Sequence, residues 1–166
     1  MKRLGLLRHA KSSWDDAGLS DFDRPLNKRG LRDAPRMGAL LRERDVAPQR
    51  IISSTAVRAR CTAELAAREL GIDESDIRLT DELYHAGAGT MLDVLTELGD
   101  DKDCVILVGH NPGITSLANF VASDARIDNL PTAGFFYVES DISEWPELRD
   151  KPGKLVFFAS PKNDLA

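Results

Sequence analysis

A chain of 166 residues, 42% of them hydrophobic and 30% charged, is long enough to bury about two thirds of its unfolded surface and is expected to form a single domain over residues 1–166. A formal net charge of −5 excludes the broad basic surface that nonspecific nucleic-acid binding needs, so any anion site must be local. No apolar stretch approaches the roughly twenty residues that span a bilayer. The apolar run Leu4-Gly5-Leu6-Leu7 is also too short for a secretory h-region, so a cytoplasmic protein is expected.

That first apolar run predicts a buried strand, and it ends abruptly in Arg8, His9, Ala10, Lys11 and Ser12. In parallel α/β sheets the crevice at the carboxyl ends of the strands is where ligands bind, which puts Arg8 and His9 where chemistry is usually done. The polar stretch from Lys11 to Leu26, rich in Asp, is long for a structureless connection and points to function. Asn27 then reads as the N-cap of a helix carrying Leu31, Ala34, Met37, Leu40 and Leu41 at helical spacing to about Arg44. Pro35 inside this pattern implies either a kink or a helix that begins near Asp33.

A short strand is expected over residues 50–53, followed by a helix over residues 56–70 capped by Thr55 or Ser54 and stopped by Gly71. A third short strand fits residues 77–79, and Met91, Leu92, Leu95 and Leu98 mark one face of a helix over residues 90–98. Cys104 to Val108 repeats the first arrangement, an apolar run ending in Gly109-His110-Asn111-Pro112-Gly113, with a helix expected over 112–121. Strands over 134–139 and 155–159, with a short helix or turn at Trp145 between them, close the chain. This alternation argues for a three-layer α/β/α domain with a mainly parallel central sheet. Cys61 and Cys104 have neither metal-ligand nor CxxC spacing and are expected as buried thiols.

RHA after a hydrophobic strand, SSTAVRARCTAE in the middle of the chain and VGHNPG later, in that order and spacing, resemble the histidine phosphatase superfamily, and within it the short SixA-like phosphohistidine phosphatases. The resemblance implies that His9 is the histidine that becomes phosphorylated, that Arg8 and Arg58 bind phosphate, and that His110 is the second histidine of the site. Ala10 stands where the superfamily typically has Gly, Thr55 where a proline is frequent and Cys61 where Gln is frequent. Residues Asp21, Asp23, Arg24, Pro25, Leu26 and Gly30 resemble a segment that SixA-like members carry after the nucleophile strand.

The residue types suit this chemistry on their own terms. A neutral imidazole is a competent nucleophile toward phosphorus, and neighbouring guanidinium groups disfavour its protonation while gripping phosphate oxygens through their forked donors. Arg58, near a helix start, is well placed for an anion; Arg60, two positions on, faces elsewhere. Asn111 is expected to shape the turn after His110. Ser12 and Lys11 are either donors at the phosphate rim or solvated side chains, and His85 is expected to line the pocket.

Phosphomonoester hydrolysis expels an alkoxide and calls for a general acid. Glu82 stands roughly where the superfamily places one, and reads equally as a surface carboxylate. A protonated imidazole leaves without that help, which favours phosphohistidine as the substrate. With no large insertion to form a cap, an open site would admit a phosphorylated side chain on a protein. The expectation is therefore a phosphatase without metal or other cofactor, acting on a phosphorylated protein. The alternatives are a phosphatase of small phosphate esters with the same nucleophile and a non-catalytic phosphoprotein-binding module.

Overall fold

A computed structural model describes residues 1–165. Six strands, β1 (Lys2–Arg8), β2 (Arg50–Ser54), β3 (Ile77–Thr80), β4 (Cys104–Gly109), β5 (Phe135–Ser140) and β6 (Lys154–Ala159), form one sheet in the order β3-β2-β4-β1-β5-β6. The first four in that order run parallel, while β5 is antiparallel to β1 and to β6, so the sheet is mainly parallel as the alternating pattern requires.

The helices are α1 (Lys28–Glu43), α2 (Val57–Leu70), α3 (Ala88–Gly99), α4 (Gly113–Val121) and a short α5 (Pro161–Asp164). One apolar layer gathers Met37 and Leu41 of α1 and Ala59, Ala63 and Ala66 of α2 against Ile51, Ile106 and Phe135 of the sheet. The opposite layer gathers Met91 and Leu95 of α3 and Ile114 and Leu117 of α4 against Leu4, Leu6, Ile52 and Leu107. Two helical layers thus cover a central sheet, and β4, fully buried on both faces, reads as an unbroken apolar run for that reason.

Local expectations hold in part. Helix α1 begins at Lys28, capped by Asn27, whose side chain accepts from the Gly30 amide, and continues through Pro35. The carbonyl that proline leaves unpaired belongs to Leu31, a residue on the solvent face of the helix, where water can take the bond. Helix α2 starts after Ala56 without a side-chain cap, because the Ser54 hydroxyl is turned into the site described below; Gly71 ends the helix in the left-handed conformation. Cys104 is buried as expected, whereas Cys61, packed against the small cluster of Ala10, Leu26, Ala34 and Ala133, is only half-buried.

The stretch between β1 and α1 is not featureless. Ser12 pairs with Leu26 across it, and Asp21–Asp23 form a 3-10 turn capped by Ser20. Its root is pressed against α1: Asn27 N–H donates to the Lys11 carbonyl, and a Cβ at Gly30 would collide with that same carbonyl oxygen. Gly30→Ala must displace the backbone two residues after His9. The expected outcome is a loss of about 1–3 kcal/mol in denaturant unfolding, the usual cost of overpacking. Lowered activity should accompany it, read from steady-state kinetics on the folded variant.

Candidate functional site

Register brings the two strand-end histidines together. In the parallel β1–β4 pair Arg8 lies opposite Gly109, so the next residues, His9 and His110, emerge side by side from the carboxyl edge of the sheet. Their rings are 5.1 Å apart between centroids. On the other side of β4, strand β2 ends at Ser54 and turns into α2, and the first turn of α2 presents Arg58 to the same edge. Arg8, His9, Arg58 and His110 line one open cleft of about 370 Å³ together with Ser12, Lys11, Trp14, Asp21, Arg24 and His85. Seven of the lining groups were readable as candidates in the sequence: Arg8, His9, Lys11, Ser12, Arg58, His85 and His110.

His9 is buried, and its Nδ1 lies 2.8 Å from the Ala10 carbonyl oxygen. A carbonyl can only accept, so Nδ1 carries the proton and Nε2 keeps its lone pair. Burial, aided by the charges of His110, Arg58 and Arg8, lowers the His9 pKa to about 3, against which the Ala10 carbonyl acts in the opposite sense. The ring is therefore neutral near pH 7, and an imidazole held this way can attack an electrophile through Nε2.

His110 is oriented from behind. Its Nε2 lies 2.8 Å from the Ser54 hydroxyl, which also accepts from the Ala56 amide at 3.2 Å. The Ser54 hydroxyl holds Nε2, and the other ring nitrogen, Nδ1, is buried with no protein partner among the described residues. Burial and then the Arg58 charge lower the His110 pKa to about 4. Ser54 was legible only as part of the SSTAVR segment; its role behind His110 depends on β2 and β4 being neighbours.

Arg8 is anchored by one bond to the Leu130 carbonyl, and burial and the nearby Arg58 charge push its pKa below the ordinary arginine value. The Nε atoms of Arg8 and Arg58 are buried and, among the described residues, unpaired. Two guanidinium Nε–H groups and an imidazole nitrogen are thus left without protein partners in residues that line the cleft, and two guanidiniums grouped this way suit a multiply charged anion.

The far edge of Arg58 is occupied. Its Nη1 donates to the Asp21 carbonyl at 2.6 Å and its Nη2 to Asp21 Oδ2 at 3.0 Å. Asp21 also accepts from the Tyr84 hydroxyl at 2.6 Å and, on Oδ1, from Nε and Nη2 of Arg24. The Tyr84 hydroxyl, together with the Arg24 and Arg58 guanidiniums, holds the Asp21 carboxyl well below the usual carboxylate range. Asp21 therefore orients arginines and is not a proton donor. This knot links the 3-10 turn after β1 to α2 and to the segment after β3, and no local pattern announces it.

Glu82, the sequence candidate for the acid, is exposed on the 3-10 turn 81–83 and does not line the cleft. His85 does line it, held at φ 58° with its ring 3.9 Å from that of Tyr84. The segment carrying it is fixed by close approach, since a Cβ at Gly113 would collide with the Ala86 carbonyl. Asn111 shapes its turn as expected, donating to Asn129 and Leu130 while accepting from Thr115. Arg60 points away from the cleft toward Glu64.

Buried neutral histidines make stability pH-dependent. Because the folded-state pKa values lie below the ordinary 6.5, the unfolded chain binds these protons more readily. Stability should decline as pH falls below about 6.5, by up to about 1.4 kcal/mol per pH unit for each histidine until the folded values are reached. Denaturant unfolding of wild type between pH 7.5 and 4.5 should show that slope, and His110→Gln should reduce it.

The sequence pattern of the histidine phosphatase superfamily (branch 1) matches residues 4–100. An uncharacterized protein of Mycobacterium tuberculosis is 34% identical over 165 residues, spanning 94% of this chain and 100% of its own. A crystal structure from Agrobacterium tumefaciens, provisionally assigned as the phosphohistidine phosphatase SixA, shares 32% identity and superposes with a TM-score of 0.79 over 96% of this chain and 99% of its own. The protein histidine phosphatase SixA complexed with tungstate has the same fold, with a TM-score of 0.81 over 97% of this chain and 98% of its own, at 23% identity. With two histidines and two arginines converging at the carboxyl edge of such a sheet, the chain belongs to the histidine phosphatase superfamily.

Proposed function

We propose that this protein is a phosphohistidine phosphatase that passes the phosphoryl group through His9 to water, with no metal ion in the chemical step. The observation that carries the reading is the fixed tautomer of His9, with Nδ1–H on the Ala10 carbonyl and Nε2 left unprotonated, in a cleft that Arg8, Arg58 and His110 also line. In the first step the Nε2 lone pair forms a bond to phosphorus as the bond from phosphorus to the substrate nitrogen breaks. A substrate imidazole protonated on its other nitrogen then departs neutral. His9 becomes an N-phosphorylated imidazolium, and the Ala10 carbonyl, which favours the cationic ring, stabilises it. In the second step water attacks phosphorus, the electron pair returns to Nε2, and the water proton leaves with the phosphate.

Arg8, Arg58 and His110 would bind the phosphoryl oxygens throughout and stabilise the charge spread over them in both transition states. The carboxylate at the cleft, Asp21, is held ionised by its donors, and Glu82 stands outside. A site so supplied suits a leaving group that needs no enzyme acid, which favours the phosphoramidate over phosphate esters of alcohols. The test is phosphate release from a phosphohistidyl protein and from a phosphoseryl peptide, each with chelator present. Chelator-resistant release from the first, much faster than from the second, is the expected result. Equal rates, or activity abolished by chelator, would overturn the reading.

A further inference from the structure

The mouth of the cleft carries a tryptophan that the mechanism does not use. Trp14 is 71% exposed, an unusual position for the largest apolar side chain. It is not loose: the Arg24 guanidinium stacks 3.5 Å from the ring centroid. Arg24 is itself only 7% exposed and is fixed by donation to Asp21 Oδ1, to the Ser12 hydroxyl at 2.6 Å and to the Ser13 carbonyl at 3.2 Å. Asp21 in turn grips Arg58. A chain of short contacts therefore registers the indole against the phosphate end of the same cleft, with one ring face covered by a cation and the rest of the ring open.

From this geometry we infer that Trp14 is a specificity-determining residue, the wall of a leaving-group subsite that accepts a planar ring, the imidazole of phosphohistidine being the ring that fits the proposed reaction. The inference rests on the phosphohistidine reading for its substrate, and on the cleft alone for its shape preference. An indole already stacked on Arg24 is partly ordered before a ligand arrives, so it should favour binding of a ring over that of a methyl group. His85, backed by the Tyr84 ring, lines the same cleft and offers a second planar surface.

The test separates shape preference from turnover. Binding of phenylphosphonate and methylphosphonate, neither of which is hydrolysed, is measured by calorimetry on the full chain as wild type, Trp14→Ala and Trp14→Phe. Wild type should bind the phenyl compound more tightly, Trp14→Ala should lose about five- to tenfold for that ligand with the methyl compound unchanged, and Trp14→Phe should retain most of the preference. Equal affinities in wild type, no binding of either ligand, or a loss in Trp14→Ala shared by both ligands would overturn the assignment. Failure of the phosphohistidine reading shows separately, as absent His9-dependent phosphate release from a protein whose preference for the phenyl ligand is intact.

Discussion

His9→Ala is expected to lower phosphate release from a phosphohistidyl protein by about 10³-fold or more, the scale on which loss of a covalent nucleophile falls. The prediction follows from a single geometric fact: Nδ1 is committed to the Ala10 carbonyl, so the only ring atom available for attack is Nε2, and no neighbouring side chain can replace it. His110 is committed differently, with Nε2 engaged by Ser54 and Nδ1 buried without a partner among the described residues. Phosphate binding should survive in His9→Ala, because Arg8, Arg58 and His110 are untouched. A steady-state assay with a phosphate-binding measurement on the same preparation separates the two effects, and retention of wild-type turnover would remove His9 from the mechanism.

Arg58→Ala should lower kcat/KM by about 10²- to 10³-fold, the cost of removing one preorganised donor from a transition state of spreading negative charge. Arg58→Lys should recover little. The arginine grips Asp21 through both Nη1 and Nη2 while lining the cleft, a two-pronged hold a lysine ammonium cannot reproduce. The same substitution has an electrostatic signature. Arg58 is among the charges that lower the pKa values of both His9 and His110, so its removal should move the acid limb of the pH–rate profile upward. Burial is the larger cause for both rings, so the limb should remain below the ordinary histidine value. A pH–rate profile that is unmoved would show that Arg58 acts on phosphate alone.

The parts of this site that were legible in the sequence are those carried by strand ends. A compact apolar run that stops at a charged or imidazole residue marks the carboxyl edge of a buried parallel strand, and both histidines announce themselves that way, as does Arg8. Arg58 was readable from its place in the first turn of a helix. What local pattern could not give is the lateral order of the strands: that β1 and β4 are neighbours, which sets His9 beside His110, and that β2 flanks β4, which brings Ser54 behind His110. Asp21 was readable only as part of the segment that resembles SixA-like members; its bond to Tyr84, 63 residues away, exists only through the folded cleft.

Glu82 was readable two ways, as a proton donor or as a surface carboxylate. Its position along the chain suited a proton donor, yet the 3-10 turn 81–83 leaves it exposed outside the cleft, and the side chains from that segment that reach the site are Tyr84 and His85. At Pro35 the alternative of a helix beginning near Asp33 gives way, because the preceding turn is capped by Asn27, as expected, and pinned at Gly30 against the Lys11 carbonyl.

The central claim is that phosphate passes through His9, and the most direct measurement is to trap it there. Wild-type protein mixed with a radiolabelled phosphohistidyl substrate and quenched in alkali within milliseconds should carry label on the peptide containing His9, stable to base and lost in acid, and His9→Ala should carry none. Rapid turnover with no label on wild type at any quench time, or equal labelling of His9→Ala, would contradict the account.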